Sequence, residues 1–469
     1  MLSQLTDTES AICAISTPPG TGGIAVVRIT GPGSIGIVDK LWHGQQLTSV
    51  KSHTAHLGEI IDPSYPDQPL DQCVATVYRA PASFTGQDTV ELSVHGSKWI
   101  QREIINLLCT QGCRTALPGE FTRRAVMNRR IDLTQAEAIA DVIASGSRAA
   151  HAIAASQLKG SFSNRLKVLR DHLLRLSTLL ELELDFSEED VEFASRTELK
   201  ELATTIHSEL KRLHSTYKSG AAIKDGIPVA IAGAPNVGKS SLLNLLLSDD
   251  RAIVSDIPGT TRDTVEETLE VGDYLLRFID TAGLRETSDP VEQLGISRSR
   301  TAMERAGIIL MVIDPTATQT AYIPEISNHD AIIIPIINKT DICPDGTETI
   351  PICCPSDSEI KIKPAIGLSA KTGQGLDNLF KVITSAIEEI APGASEADSV
   401  IITNARQAQA LEEASQEAAR IIESLNEGLP GDLIAIHLRT TISILSTLTG
   451  DITTPEILST IFSSFCIGK

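Results

Sequence analysis

Gly233-Ala234-Pro235-Asn236-Val237-Gly238-Lys239-Ser240 follows the apolar run Ile227-Pro228-Val229-Ala230-Ile231-Ala232 and precedes Ser241-Leu242-Leu243-Asn244-Leu245-Leu246-Leu247. A buried strand feeds a glycine-bounded turn, so backbone N–H groups point inward at phosphate oxygens and the next helix adds the partial positive charge of its N-terminus. The G-x-x-x-x-G-K-S spacing in this strand–loop–helix context marks a phosphate-binding loop. Lys239 is expected to reach the β- and γ-phosphates and Ser240 to offer its hydroxyl to Mg²⁺. Asn236, Val237, Gly238 and Ser241 complete the nucleotide contacts expected of this stretch.

The base is named further along. Asn338-Lys339-Thr340-Asp341 closes the apolar run Ala331-Ile332-Ile333-Ile334-Pro335-Ile336-Ile337, which puts it at the C-terminal end of a strand, where α/β sheets bind ligands. A carboxylate there accepts hydrogen bonds from N1–H and the 2-amino group of guanine. Adenine offers neither, so Asp341 selects GTP over ATP. Ser369-Ala370-Lys371 has the order and distance of the loop that backs the base. Between these motifs lie two stretches with the pattern of nucleotide-sensing switches: Ser255-Asp256-Ile257-Pro258-Gly259-Thr260-Thr261 and Asp280-Thr281-Ala282-Gly283. Thr261 is expected to complete the Mg²⁺ shell while the γ-phosphate is present, with Asp280 behind it and the Gly283 amide near the γ-phosphate. Many small GTPases place a water-orienting glutamine directly after that glycine, whereas this chain has Leu284. Glu286, Asp289 and Glu292 are the nearby carboxylates that spacing leaves for the role.

Nearly continuous apolar runs at 274–279, 307–313 and 331–337 predict strands buried on both faces of a mainly parallel sheet, within a nucleotide domain over 222–390. Residues 1–125 read as mixed α/β, with β-prone runs at 11–15, 24–29 and 74–78 and a helix from Trp99 to Leu108. Residues 126–221 turn helical. Thr134-Gln135-Ala136-Glu137 has the form of a capping box, and Leu166, Leu169, Leu173, Leu176 and Leu180, with Leu174, Leu179 and Leu184, make a stripe that wants a partner helix. Pro392-Gly393-Ala394-Ser395 reads as an exit linker, and 391–469 is helical again, so the nucleotide domain is expected to be inserted in a discontinuous all-α domain.

A chain of 469 residues exceeds one usual core and predicts about two to four domains. Apolar runs shorter than a bilayer and the lack of a basic-then-apolar start predict a soluble, cytoplasmic chain with no membrane partner. Eight cysteines without paired C-x-x-C spacing predict reduced thiols; Cys109 and Cys113 are spaced to share a helix face and are read as packing residues. A net charge of −20 excludes an indiscriminate nucleic-acid binder, so any RNA contact is local or shared with a partner. By composition Arg28, Glu91 and the group Arg123, Arg124, Arg129 and Arg130 are expected in surface ion pairs, and the arginine group is also a candidate RNA contact.

Gly-Ala-Pro-Asn-Val-Gly-Lys-Ser at 233–240, Asp-Ile-Pro-Gly-Thr-Thr-Arg-Asp at 256–263, Asp-Thr-Ala-Gly-Leu-Arg-Glu at 280–286 and the closing Phe465-Cys466-Ile467-Gly468-Lys469 together resemble the bacterial tRNA modification GTPase family MnmE, also called TrmE. The likeness extends through Thr17-Pro18-Pro19-Gly20, Pro118-Gly119-Glu120-Phe121 and Gln135-Ala136-Glu137-Ala138. It implies an N-terminal α/β folate-binding domain that forms a homodimer, a helical domain and an inserted Ras-like domain. It also implies work with the flavoprotein MnmG, which carries FAD, in a heterotetrameric complex. That complex would install a carboxymethylaminomethyl or aminomethyl group at carbon 5 of the tRNA wobble uridine, with a 5-formyl-tetrahydrofolate-type donor. By position, Arg28, Glu91, Arg130 and Lys469 match the folate contacts, with arginine where the family often has lysine at 130. Asn236, helped by Ser255, Ile257 and Thr260, matches a K⁺ site whose charge takes the place of an arginine finger. Glu292 matches the family's catalytic glutamate. A GTP-dependent RNA or ribosome assembly switch is the competing expectation; it would need neither a folate-lined domain nor a terminal lysine.

Overall fold

The computed structural model describes residues 8–185, 196–248, 267–279, 300–316, 321–322, 328–343, 352–353, 360–392 and 400–452, with 458, 461–463, 465 and 468. The chain divides into two compact units: one of Met1–Ala140, Gln157–Leu180 and Leu438–Lys469, the other of Asp141–Ser156 and Glu181–His437. No helix among the described residues is long and apolar enough to cross a membrane.

The first unit is built on seven strands: β1 (Ile12–Ile15), β2 (Ile24–Thr30), β3 (Trp42–Gly44), β4 (Thr54–Ile61), β5 (Pro69–Tyr78), β6 (Thr89–His95) and β7 (Arg114–Thr115). Their order is β3-β4-β5-β6-β2-β1-β7. Neighbours run antiparallel except β1 and β7. Alternate residues such as Val27, Ile29, Val77 and Leu92 point to one face, where Val38 of the Ser34–Asp39 helix and Ile104 and Leu108 of the Lys98–Thr110 helix cover them. The opposite face carries Arg28 and Glu91, which the β2–β6 register sets directly side by side. Phe121, from the Glu120–Met127 helix, packs there with Ile12 and Ala14.

Several expectations for this unit change. The Leu133–Ala144 helix is capped two residues earlier than Thr134: Asp132 Oδ1 accepts from the Gln135 N–H at 2.9 Å, and Gln135 Oε1 accepts from the Asp132 N–H at 3.0 Å. That reciprocal pair is the capping box. Cys113 lies beyond the end of the Lys98–Thr110 helix, so it shares no helix face with Cys109; Cys13, Cys73 and Cys113 are buried free thiols, and burial pushes Cys73 up to about 12. Arg123 and Arg124 are interior rather than surface residues, at 1% and 0% exposure. They surround Glu120, whose Oε1 lies 3.0 Å from Arg124 Nη2 and 2.6 Å from Arg114 Nη2. Buried guanidinium groups cannot reach a phosphate backbone, so neither serves as the RNA contact. Of the leucines, Leu166, Leu169, Leu173, Leu176 and Leu180 are buried along the Ser161–Asp185 helix as expected, whereas Leu179 is half-buried and Leu174 is exposed, so Leu174 is no part of the stripe.

The second unit holds β8 (Ile227–Ala232), β9 (Glu267–Val271), β10 (Tyr274–Phe278), β11 (Ile308–Ile313), the short pair β12 (Ala321–Tyr322) and β14 (Ile352–Cys353), β13 (Ile332–Ile337), β15 (Lys361–Ile362) and β16 (Ile366–Gly367). The main sheet runs β15-β13-β11-β8-β10-β9, with β16 also on β13. Only the β9–β10 pair within it is antiparallel. Leu310, Val312, Ile334 and Ile336 pack on one face with Leu242, Leu379 and Ile383, while Ile309, Met311, Ile313 and Ile333 pack on the other with Met303 and Ala306. Two covered faces explain the unbroken apolar runs. The Arg196–Ser215 helix packs along the Ala405–Asn426 helix, with His207 Nδ1 3.0 Å from the Ser415 carbonyl. Beside them Gly220 is required: a Cβ there would stand 2.1 Å from the Ile402 carbonyl.

Candidate functional site

The phosphate-binding loop leaves β8 at the C-terminal edge of the parallel sheet and enters the Lys239–Ser248 helix. Its backbone is held by close approach. Gly238 has φ +100, and a Cβ on it would meet Asn338 Nδ2 at 2.3 Å. Asn236 adopts φ 62, a left-handed conformation that asparagine tolerates better than most side chains. Lys239 Nζ donates to the Gly233 and Ala234 carbonyls, each at 2.8 Å, which suspends the ammonium across the loop. Burial lowers the pKa of Lys239, so an approaching phosphate anion would favour the charged form that burial disfavours. Ser240 is half-buried in the first helical turn and Ser241 is exposed beside it.

Asn338 joins the three motifs. Its side chain is almost fully buried; Nδ2 donates to the Val237 carbonyl at 2.8 Å, and Oδ1 accepts from the Ala370 N–H at 2.9 Å. One amide thus ties the phosphate loop to the loop of Ser369, Ala370 and Lys371. Ser369 Oγ in turn donates to Asp341 Oδ1 at 2.7 Å and accepts from the Thr372 N–H at 3.2 Å. That orients one carboxylate oxygen of an exposed Asp341 and leaves the other for a ligand. Lys339, with φ 62, forms an ion pair with Asp314 at 2.5 Å. The sequence motifs gave Asn338, Lys339, Asp341 and Ser369 but neither the Asn338 bridge nor Asp314. The signal for Asp314 is an acid directly after the apolar run that forms β11.

In the first unit Arg28 Nε lies 2.8 Å from Glu91 Oε1, and Tyr78 Oη is 3.4 Å from Glu91 Oε2. The Arg28 guanidinium stands 5.8 Å from the Phe84 ring centroid and 5.7 Å from that of Phe121. The Gly468 carbonyl accepts from Ser16 Oγ at 3.0 Å and from Arg28 Nη1 at 3.5 Å. Gly468 has φ +98 and is seated so closely that a Cβ would meet the Ile15 carbonyl at 2.2 Å. Arg130 lies beside Gly86, where a Cβ would stand 3.1 Å from its Cγ. A partly exposed cation and carboxylate beside the exposed Phe84 ring, with the buried Phe121 ring beneath the guanidinium, fit a flat heteroaromatic ligand with polar edges. Tyr78, Phe84, Phe121 and Ser16 were not singled out from sequence, because nothing local marks them.

Ser255, Asp256, Ile257, Pro258, Gly259, Thr260, Thr261, Asp280, Thr281, Ala282, Gly283, Glu292 and Lys469 lie outside the described residues. Among the described residues no group of three His, Cys, Asp or Glu side chains could hold a metal. The Ser240 hydroxyl at a helix start remains the described group whose chemistry suits Mg²⁺.

A family model described as the MnmE helical domain matches residues 133–466, and one described as the GTP-binding protein TrmE N-terminus matches residues 11–130. The tRNA modification GTPase MnmE of Porphyromonas gingivalis is 46% identical over 477 residues, which cover 98% of this chain and 98% of that one. The protein of the same name from Parabacteroides distasonis is 44% identical over 473 residues, covering 98% of this chain and 100% of that one. Among solved structures, Era in complex with MgGDPNP and nucleotides 1506–1542 of 16S ribosomal RNA is 28% identical across 34% of this chain and 55% of that one, with a TM-score of 0.23. The phosphate loop, the guanine-reading motif and near full-length identity together establish that the chain belongs to the MnmE family of tRNA modification GTPases.

Proposed function

We propose that the chain hydrolyses GTP to GDP and phosphate in the service of tRNA wobble-uridine modification. The observation that carries this reading is the Asn338 side chain, which joins the phosphate loop through Val237 to the base-backing loop through Ala370, with Asp341 oriented beside them by Ser369. Phosphate and base are then read by one connected frame.

The finer reading extends this chemistry. Ser240 and Thr261 hold Mg²⁺ on the phosphates, and Asn236 with Ser255, Ile257 and Thr260 holds K⁺ near the β/γ bridge. Glu292 orients the attacking water. Arg28, Glu91, Arg130 and Lys469 hold a 5-formyl-tetrahydrofolate-type donor; the Arg28–Glu91 pair beside Phe84 and Phe121 supports that assignment. The partners are a second copy of the chain, the flavoprotein MnmG, whose FAD is the flavin of the complex, and tRNA. The modification is a carboxymethylaminomethyl or aminomethyl group at carbon 5 of the wobble uridine.

The test is steady-state hydrolysis of GTP and of ATP by the purified chain, in KCl and in NaCl at matched ionic strength. GTP-selective turnover that K⁺ accelerates strongly is the expected result. Equal turnover of both nucleotides would overturn the base reading, and equal slow GTP rates in the two salts would remove the cation site.

A further inference from the structure

Asp314 is the first residue after β11, whose last residue Ile313 is in register with Ile337 of β13. It therefore lies beside Asn338-Lys339 at the edge of the sheet where the nucleotide is read. Its residue is 4% exposed, yet its carboxylate is fully engaged. Oδ1 accepts from the Thr316 N–H at 2.9 Å and from Thr316 Oγ1 at 2.7 Å, a local turn that stops the carboxylate rotating. Oδ2 is left aimed at Lys339 Nζ, 2.5 Å away. Burial alone would push the Asp314 pKa up; the Lys339 ammonium and the two Thr316 donors outweigh it and hold the group below the usual carboxylate range.

Lys339 is where the chain turns out of β13. Its φ of 62 is a left-handed conformation unfavourable for a non-glycine residue, so neighbouring contacts must hold it. The Lys339 carbonyl accepts from the Ile342 N–H at 3.0 Å and the Cys343 N–H at 3.2 Å, and the Thr340 N–H donates to the Leu368 carbonyl at 3.3 Å. These bonds shape the loop that carries Asp341. Among the described residues, the contact with Asp314 is the one that holds the side-chain end of this pivot.

We propose that Asp314 is a positioning residue for base selection, which acts through the ion pair with Lys339 to hold the bend that sets the Asp341 carboxylate against the guanine edge. The inference rests on the reading of the crevice as a guanine site. A purely structural buried acid would predict something different: its loss would weaken every nucleotide alike, because the whole edge of the sheet would loosen.

The discriminating measurement is equilibrium binding of GDP, IDP and ADP to the full chain with Mg²⁺. IDP lacks the 2-amino group and keeps the phosphates. In the parent, GDP should bind more tightly than IDP and far more tightly than ADP; if GDP and ADP bind alike, the guanine reading itself fails, whatever the variants do. Asp314→Asn should weaken GDP about tenfold, the scale of one charge-assisted hydrogen bond, and weaken IDP less, so that the GDP-to-IDP preference contracts. Asp314→Glu should recover part of the preference. Thr316→Val, which removes the Oγ1 donor to Oδ1 but keeps the backbone N–H and leaves the charge untouched, should contract it by a smaller factor and stands in if Asp314→Asn does not fold. Equal weakening of GDP and IDP, or an unchanged preference in the variants that fold, overturns the proposal.

Discussion

A single carboxylate organises the interior beneath the first unit's sheet. Glu120 is fully buried, and its oxygens take hydrogen bonds from Arg114 at 2.6 and 2.8 Å, from Arg124 at 3.0 Å and from the Leu117 N–H at 2.9 Å, with Arg123 3.4 Å away. Arg124 also donates to Gln87 Oε1 at 3.1 Å. Glu120→Gln keeps the shape but removes the Glu120 charge from beside two buried guanidinium groups, which should destabilise the unit by roughly 3–5 kcal/mol in a denaturant titration. The pH dependence has a definite sign. Burial pushes the Glu120 carboxyl up, but the Arg114 and Leu117 hydrogen bonds outweigh it and hold the pKa below its ordinary value of 4.5. Its contribution is therefore complete above that value and lost as pH falls through the lower, folded one. The Glu120→Gln chain should lack this acid-side loss, and a parallel fall in parent and variant would exclude the linkage.

Among the elements, the Leu133–Ala144 helix shows how little sequence separates a correct cap from its neighbour. Asp132 and Gln135 make the reciprocal bonds, and Gln135 Nε2 also donates to the Leu158 carbonyl at 2.9 Å. Asp132→Ala should cost about 1 kcal/mol in unfolding free energy, and Asp132→Asn, which keeps an accepting oxygen, less. If Asp132→Asn costs as much, the cap is misassigned. Strands β11 and β13 were legible because both faces are covered and the apolar runs are unbroken, and the leucines of Ser161–Asp185 were legible through their helical period. Strands β4 and β6 were not, because one face of that sheet is open and its polar residues dilute the alternation. The nucleotide motifs were legible as strings, whereas the Asn338 bond to Val237 spans 101 positions that no local pattern connects. Arg123 and Arg124 misled for another reason: charge reveals nothing about burial when the neutralising partner Glu120 meets them only in the folded chain.

At the scale of the molecule, the first unit gathers both ends of the described chain, and Phe462 packs with Leu133 and Ala136 in its interior. Gly468→Ala should expel the tail from its seat, because the added Cβ would stand 2.2 Å from the Ile15 carbonyl at a φ of +98. Folate affinity measured by calorimetry should then drop at least about tenfold, the loss of one charge-assisted contact; full affinity would show that the Gly468 carbonyl is no part of that site. The same seat sets an order of events during synthesis. Ser16 and Gly468 are 452 residues apart, so at about 5–20 residues per second the ribosome needs roughly 20–90 s to deliver the second after the first. Throughout that interval the Arg28–Glu91 patch waits without its last neighbour, while the nucleotide unit's β8 through β16 have all been translated before the tail emerges. Chains stalled shortly before residue 468 should therefore bind GDP while the Arg28–Glu91 patch still lacks the Gly468 carbonyl, and ligand binding at that patch should follow only once residue 468 has emerged.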